Sequence, residues 1–431
     1  MTKRMLLAVL LLIVFALPAG CQKQGGEPTQ PTAPAPTILP TPTPEPSPTP
    51  TPDPVGEALA GMTVEQKAAQ LLVAGIEGTE PGEDAVQAVQ GYQVGGVILF
   101  GRNVESAEQL AALTNGLKEL NGDYTPLFLC VDQEGGRVDR MPPEVSRTPS
   151  AWSVGQTLDT EGVGVSYGEL LAAECAAFGF NMDFAPSLDI WSNPDNTVIG
   201  DRAFGNDWEW TAFFGMSAVE GMEKQGTVIP VVKHFPGHGD TAVDSHTALP
   251  VVDKTLEDLW QSELVPFDMV LSGQFWGEPV MEPTPAVMVA HILLSQIDPD
   301  NPASLSPEVV TGLLREEMGY EGVVCTDDLT MGAISNTYGM GEAAVLAVEA
   351  GCDLLLVCHG ADNLAEAHAA LVEAVYSGCI PEERLDESVY RVLSLKTVYG
   401  LSNAPVEAPD IEALNDRIAA LERSIEADTS Q

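Results

Sequence analysis

Positive charge is what this chain has least of. Over 431 residues, Lys and Arg number 19 against 63 Asp and Glu, a formal net charge of −44 at pH 7. A surface of that sign repels phosphate backbones and anionic headgroups, which argues against nucleic acid as a partner and against membrane binding through basic residues. Histidine is scarce too, six in all, and the seven cysteines show no metal-ligand spacing. Cys130, Cys325 and Cys358 lie in apolar, strand-like runs. A thiol there reads as a small buried hydrophobe and not as part of a disulfide framework. No Gly-rich dinucleotide fingerprint follows the early strand-like segments. The apolar run Met5 to Leu17 is too short for a comfortable membrane span.

That run has another reading. Lys3 and Arg4 precede it, as in a secretory leader. It ends in Pro18-Ala19-Gly20-Cys21, which resembles the lipobox of bacterial lipoproteins. The resemblance implies cleavage before Cys21 and acylation of its thiol, so that lipid would hold the protein outside the cell on its membrane. A plain signal peptide with free secretion is the alternative. Residues 22–54 form a Pro/Thr-rich linker. Such a segment extends in polyproline fashion by roughly 3.1 Å per residue, a reach of about 80 Å.

From Val55 the pattern alternates between helix and strand. Eight short apolar runs read as strands: Leu71 to Ile76, Gly96 to Phe100, Leu127 to Val131, Asn181 to Ala185, Val228 to Val232, Val287 to Ala290, Val323 to Thr326 and Leu354 to Val357. Several are continuously apolar, as strands buried on both faces of a parallel sheet must be. Between them lie amphipathic segments. Thr63 to Gln70, with Thr63 as cap, Ala107–Leu120, Thr211–Gln225, Leu256–Leu271, Pro307–Met318 and Asn363–Tyr376 read as helices. This alternation predicts an α/β fold, a (β/α)8 barrel of the TIM type over residues 55–403, with a doubly wound open sheet as the alternative. Residues 404–431 form an acidic tail. In it Ile411, Leu414, Ile418, Leu421 and Ile425 define an amphipathic helix, read either as packing back on the barrel or as a coiled-coil dimer contact. A monomer is expected.

In a barrel of this kind chemistry gathers at the C-terminal ends of the strands. The residues closing the apolar runs are polar: Asp132-Gln133-Glu134 after the third, Asp189 and later Asp201-Arg202 after the fourth, Lys233-His234 after the fifth, His291 after the sixth, Asp327-Asp328 after the seventh. One such carboxylate could cap a helix; five strand ends together predict a pocket. The stretch Lys233 to His246 holds three of the six histidines, and Pro236, Gly237 and Gly239 make it a structured loop. Asp244 stands two residues from His246. A carboxylate that close can fix an imidazole's tautomer and leave its other nitrogen free for proton transfer. A metal site is the competing reading, disfavoured by the Lys and Arg neighbours.

Four ordered motifs resemble the family-3 glycoside hydrolases, and within them the β-N-acetylglucosaminidases (beta-hexosaminidases). They are Asp132-Gln133-Glu134-Gly135-Gly136-Arg137-Val138, Ile199-Gly200-Asp201-Arg202-Ala203-Phe204-Gly205, the string Lys233 through His246, and Thr326-Asp327-Asp328-Leu329. The resemblance implies a (β/α)8 barrel with no second sandwich domain following it. It implies Asp327 as nucleophile, His246 as general acid/base oriented by Asp244, and sugar-binding roles for Asp132, Arg140, Arg202, Lys233 and His234. No metal or other cofactor is expected, and the partner is a carbohydrate, with cell-wall fragments among the substrates. Compact members lack the stretch Gln274 to Thr284, placed near the pocket rim after strand five. Beside this stand a phosphorylase, a β-glucosidase, and, from another class, a sugar-binding lipoprotein without catalysis.

Overall fold

The computed structural model describes residues 53–159, 162–241, 245 and 248–429. The expected leader, Cys21 and the linker up to Pro52 lie outside the described residues. Each of the eight apolar runs forms a strand: β1 Leu72–Gly75, β2 Gly96–Ile98, β3 Phe128–Val131, β4 Met182–Asp183, β5 Ile229–Phe235, β6 Ala286–Val289, β7 Val323–Asp328 and β8 Leu354–Val357. All pair in parallel with their sequence neighbours, and β8 returns to β1 through Leu72 opposite Leu355 and Val73 opposite Leu356. The sheet is therefore a closed barrel, as expected. Closure leaves no open edge.

Side-chain alternation sorts each strand between two apolar layers. Phe128 and Cys130 of β3, Ile229 and Val231 of β5, and Val323 and Cys325 of β7 fill the barrel interior. Leu129, Val232 and Val324 face the surrounding helices. The same period of two, carried one step beyond the apolar fill, points Asp132, Lys233 and Asp327 into the barrel mouth. Ladder irregularities add to this. Register shifts between Val232 and Phe235 in β5, and between Cys325 and Asp328 in β7, let the consecutive pairs Lys233-His234 and Asp327-Asp328 both border the mouth.

The helices follow their local signals. Helix α1, Val64–Gln70, opens on a reciprocal cap: Thr63 Oγ1 accepts from the Gln66 N–H at 3.3 Å, and Gln66 Oε1 accepts from the Thr63 N–H at 3.1 Å. Next come α2, Ala107–Asn121; α3, Val163–Ala177; and α4, Trp208–Gln225. The single helix expected over Leu256–Leu271 is two, Leu256–Leu259 and α5, Leu264–Ser272. Pro266 gives the reason. Its ring forbids a helix running through Ser262, but is tolerated in the first turn of a helix that starts afresh at Leu264. The segment expected at Pro307–Met318 winds as a wider π-helix, Glu308–Glu317. After α6, Met340–Ala350, α7, Ala361–Ser377, and α8, Glu382–Val398, the tail forms α9, Ile411–Thr429. Leu414, Ile418 and Leu421 of α9 are buried, and the Arg417 guanidinium donates to the Glu169 carbonyl of α3 at 3.0 Å. The apolar stripe of the tail thus packs back on the barrel. Of the six described cysteines, five are buried free thiols and Cys379 is exposed. No described helix is long and apolar enough to cross a membrane.

Candidate active site

At the mouth lies a cavity of about 330 Å³ whose lining includes Asp132, Arg140, Arg202, Lys233, His234 and Asp327. Seven separate stretches of sequence converge there. Asp244 and His246 lie outside the described residues. Ser245 between them is described and lines the cavity; its carbonyl accepts from the Ala333 N–H at 3.0 Å.

The cations are held by carboxylates. Lys233 Nζ lies 2.7 Å from Asp132 Oδ1 and 2.6 Å from Glu134 Oε1. Arg202 grips Glu134 with both arms of its fork, Nε to Oε2 and Nη2 to Oε1, each 2.8 Å. Such a bidentate pair fixes the guanidinium plane as well as its position. Burial pushes the Glu134 carboxyl up, but Arg202 and then Lys233 hold it well below the usual carboxylate range. Burial likewise pulls the Lys233 ammonium down, and Asp132 and Glu134 more than offset it, leaving its pKa raised. Both cations are therefore fully charged at neutral pH.

His234 is oriented by partners on both sides. Nδ1 sits 2.6 Å from Asp189 Oδ2, and Nε2 sits 3.2 Å from Arg202 Nη2. A guanidinium only donates, so Nε2 accepts and Nδ1 carries the proton given to Asp189. Asp189 Oδ1 also accepts from the His238 N–H at 2.6 Å, which pins the loop that follows β5. The His238 ring is enclosed between Thr241 Oγ1 at 2.7 Å and Ser245 Oγ at 3.2 Å, and burial lowers its pKa.

Asp327 is half-buried at the end of β7. Burial pushes its carboxyl up. His291, then the N–H of Asp328 donating at 2.8 Å, and Lys233 help to offset that, so its pKa is lowered and it is a carboxylate at neutral pH. Asp328 takes a supporting role: Oδ1 accepts from the N–H groups of Thr330 and Cys358, at 2.9 and 3.1 Å. Arg140 donates its backbone N–H to Gln133 Oε1 at 2.8 Å, while its guanidinium Nε is buried without a partner among the described residues. Among the described residues no group of three or more His, Cys, Asp or Glu is placed to hold a metal.

Residues 63–395 match the family described as Glycosyl hydrolase family 3 N terminal domain. The chain belongs to glycoside hydrolase family 3. Among its family-3 relatives is "Beta-hexosaminidase A" of Pseudoalteromonas piscicida, 33% identical over 341 residues, covering 74% of this chain and 56% of the relative. Another is the "Beta-hexosaminidase" of Alkalilimnicola ehrlichii, 38% identical over 293 residues, covering 67% of this chain and 80% of the relative. The chain thus spans little more than half of the first relative and most of the second. Among solved structures, a family 3 beta-N-acetylglucosaminidase from Paenibacillus sp. superposes with a TM-score of 0.78 at 41% identity, over 84% of this chain and 68% of that one.

Sequence reasoning missed several residues that the family-3 barrel brings to its mouth. Glu134 stood inside a quoted motif without a role; its signal was its place two residues beyond Asp132. Arg102 and His359 also line the cavity. Both follow a strand closely, after β2 and β8, two strand ends to which the sequence assigns no candidate. The insertion Gln274 to Thr284, by contrast, was placed near the rim and does not line the cavity. It forms a short hairpin, Gln274–Phe275 with Glu278–Pro279, on the outside of the barrel.

Proposed function

We propose that this chain is a retaining exo-β-N-acetylglucosaminidase that releases terminal N-acetylglucosamine from cell-wall fragments or related glycans. The observation that carries the reading is the setting of Asp327: an ionised carboxylate at a strand end, facing a small cavity rimmed by held cations and oriented imidazole. Double displacement needs such a carboxylate beneath the anomeric carbon. Asp327 Oδ attacks that carbon as the glycosidic bond breaks; His246 gives its proton to the departing oxygen, with Asp244 holding the ring. Water then displaces Asp327 from the sugar, and His246 takes the proton from that water. An imidazole, with an ordinary pKa of about 6.5, suits both transfers near neutrality. Asp132, Lys233, Arg202, His234 and Arg140 bind the sugar's oxygens. The cavity volume lies at the low end of the roughly 300–1,000 Å³ common for ligand pockets, which favours one terminal sugar over an internal stretch of chain. The names of the relatives support the acetamido sugar. The N-terminal features support export, with lipid on Cys21 as the membrane anchor.

Turnover of aryl β-N-acetylglucosaminide, β-glucoside and β-galactoside, each with and without inorganic phosphate, tests this. Fastest release from the N-acetylglucosaminide, with free sugar as product whether or not phosphate is present, is expected. Sugar phosphate as the main product would replace the hydrolase with a phosphorylase, and no turnover at all would leave a binding protein.

A further inference from the structure

The hairpin outside the barrel contains a residue that local physics disfavours. Its two-residue turn has positive φ at both positions, 53° at Trp276 and 82° at Gly277. A turn of this hand prefers Asn-Gly, because only Gly and the short polar residues enter the left-handed region readily. Trp276 occupies the Asn position and is 67% exposed, so burial does not offset the strain. Bulky residues held in such a conformation mark places where exposure of the side chain serves function. The ring does not stand alone. It meets Trp208 at the start of α4 edge to face, with centroids 5.6 Å apart and planes 80° apart, and Phe275 at 6.1 Å. Trp210, 39% exposed, continues the patch. Together with Asp207 and Glu209 these residues line a hollow of about 410 Å³. Asp207 uses Oδ1 to cap α4, accepting from the Trp210 N–H at 2.9 Å, and Glu209 has neither an ion pair nor a side-chain hydrogen bond among the described contacts.

Exposed aromatic faces edged by two carboxylates define the ligand. It must offer an apolar face of C–H bonds to indole, whose π-cloud is negative, and hydroxyl or amide donors around its edge to the two carboxylates. It must also be free of negative charge on a chain whose net charge is −44. A β-linked pyranose chain, with equatorial hydroxyls and C–H faces, satisfies all three. We propose that Trp276, Trp208 and Trp210 form a second glycan-binding site, outside the catalytic cavity, that holds a polymeric β-glycan while its end is processed. The loop that carries Arg202 into the cavity continues directly to Asp207 and Trp208, so one short segment reaches both sites. The inference rests on the proposed reading of the chain as a glycan hydrolase.

The test is native electrophoresis of the full chain in gels containing a soluble β-1,4-linked N-acetylglucosamine polymer. The wild type is expected to be retarded, and free N-acetylglucosamine, which occupies the catalytic cavity, is expected not to relieve the retardation. Trp276→Asn installs the residue the turn prefers, so thermal unfolding holds or improves. Retardation falls at least tenfold, while aryl N-acetylglucosaminide turnover stays within twofold of wild type. Unretarded wild type, or an Asn variant retarded as strongly as wild type, would overturn the second site. If Trp276→Asn instead dissociates a dimer in sedimentation and leaves retardation intact, the patch is a self-association surface and the proposal fails. Missing aryl glycoside turnover in the wild type would reject the hydrolase reading without touching the retardation result.

Discussion

At the C-terminal ends of the strands Glu134 interlocks with Lys233 and Arg202 around a cavity, and one guanidinium nitrogen, Nε of Arg140, has no partner among the described residues. At the N-terminal ends Asp353 draws in three arginines, Arg315, Arg384 and Arg391. Its Oδ1 accepts from Ser388 at 2.6 Å and Arg391 at 3.2 Å, its Oδ2 from Arg315 at 2.5 Å and the Val324 N–H at 3.0 Å. Both ends bury ionised groups, and both must meet the cost of desolvation with close partners. At the mouth the network borders a cavity whose lining includes Asp132, Arg140 and Asp327. A saturated buried network serves the fold, whereas an incomplete one serves a ligand.

The ends differ also in which buried groups stay neutral. Behind the mouth, Glu174 of α3 accepts from Thr148 Oγ1 at 2.5 Å and Gln133 Nε2 at 2.8 Å, and burial raises its pKa to about 8. At the base Lys396 of α8 donates to Gln70 Oε1 at 2.9 Å and the Gly95 carbonyl at 2.8 Å, beneath the Phe128 ring, and burial lowers its pKa to about 7.

The sharpest way to break the contrast is at the mouth itself. Asp327→Asn is expected to cut turnover of an aryl N-acetylglucosaminide on the order of 10⁴–10⁶-fold, with thermal unfolding little changed; near-normal kcat would reject Asp327 as nucleophile. Next in size, His246→Ala should separate substrates by leaving group. A disaccharide, whose leaving alkoxide needs a proton, should lose about 10²–10⁴-fold in glycosyl-enzyme formation. An aryl glycoside with an acidic phenol should lose far less and accumulate intermediate, and equal losses on the two would defeat the assignment.

Charge removal compares the ends directly. Asp353→Asn leaves Arg315, Arg384 and Arg391 undercompensated and should lower unfolding free energy by about 3–5 kcal/mol while kcat per folded molecule is kept. Glu134→Gln should cost similar stability and also raise KM, because Arg202 and Lys233 lose their positions. Denaturant melts and kinetics on the same samples separate the two, and an unchanged KM for Glu134→Gln would deny it a place in the site.

The smallest effects are pH slopes of opposite sign, each at most roughly 1.4 kcal/mol per pH unit. Glu174 is raised in the folded state, so between about pH 4.5 and 8 the native chain holds a proton the unfolded chain has lost. Stability therefore falls as pH rises through that window. Glu174→Gln should remove that fall. Lys396 is lowered, so above about pH 7 and below 10.5 the unfolded chain holds the extra proton, and stability rises with pH. Lys396→Met should flatten that rise. Urea titrations at pH 5, 7 and 9 read both; identical slopes in wild type and variant would place the titration elsewhere.

Much of this molecule was legible in one dimension. Eight apolar runs bounded by polar residues specify strands buried on both faces, and such strands with intervening amphipathic helices have few ways to close other than a barrel. The period of two then dictates which residue beyond the fill faces the mouth, so Asp132, Lys233 and Asp327 could be named from spacing. What spacing could not supply is anything that depends on a partner distant in the chain. Glu134 gains its role from Arg202, 68 residues on, and from Lys233. His234 gains its orientation from Asp189, and Lys396 a hydrogen-bond partner in Gln70, 326 residues away. Pro266 was visible, but the break in the helix it enforces depends on where the chain must turn. Likewise Trp276 read as one residue of an insertion, and only the fold sets its ring against Trp208. Local pattern determined the elements and their inward faces, because those follow from backbone geometry and burial alone. The pairing of charges and aromatic rings was decided by the closed barrel, because their energies fall off within a few ångströms and only the tertiary fold brings them that close.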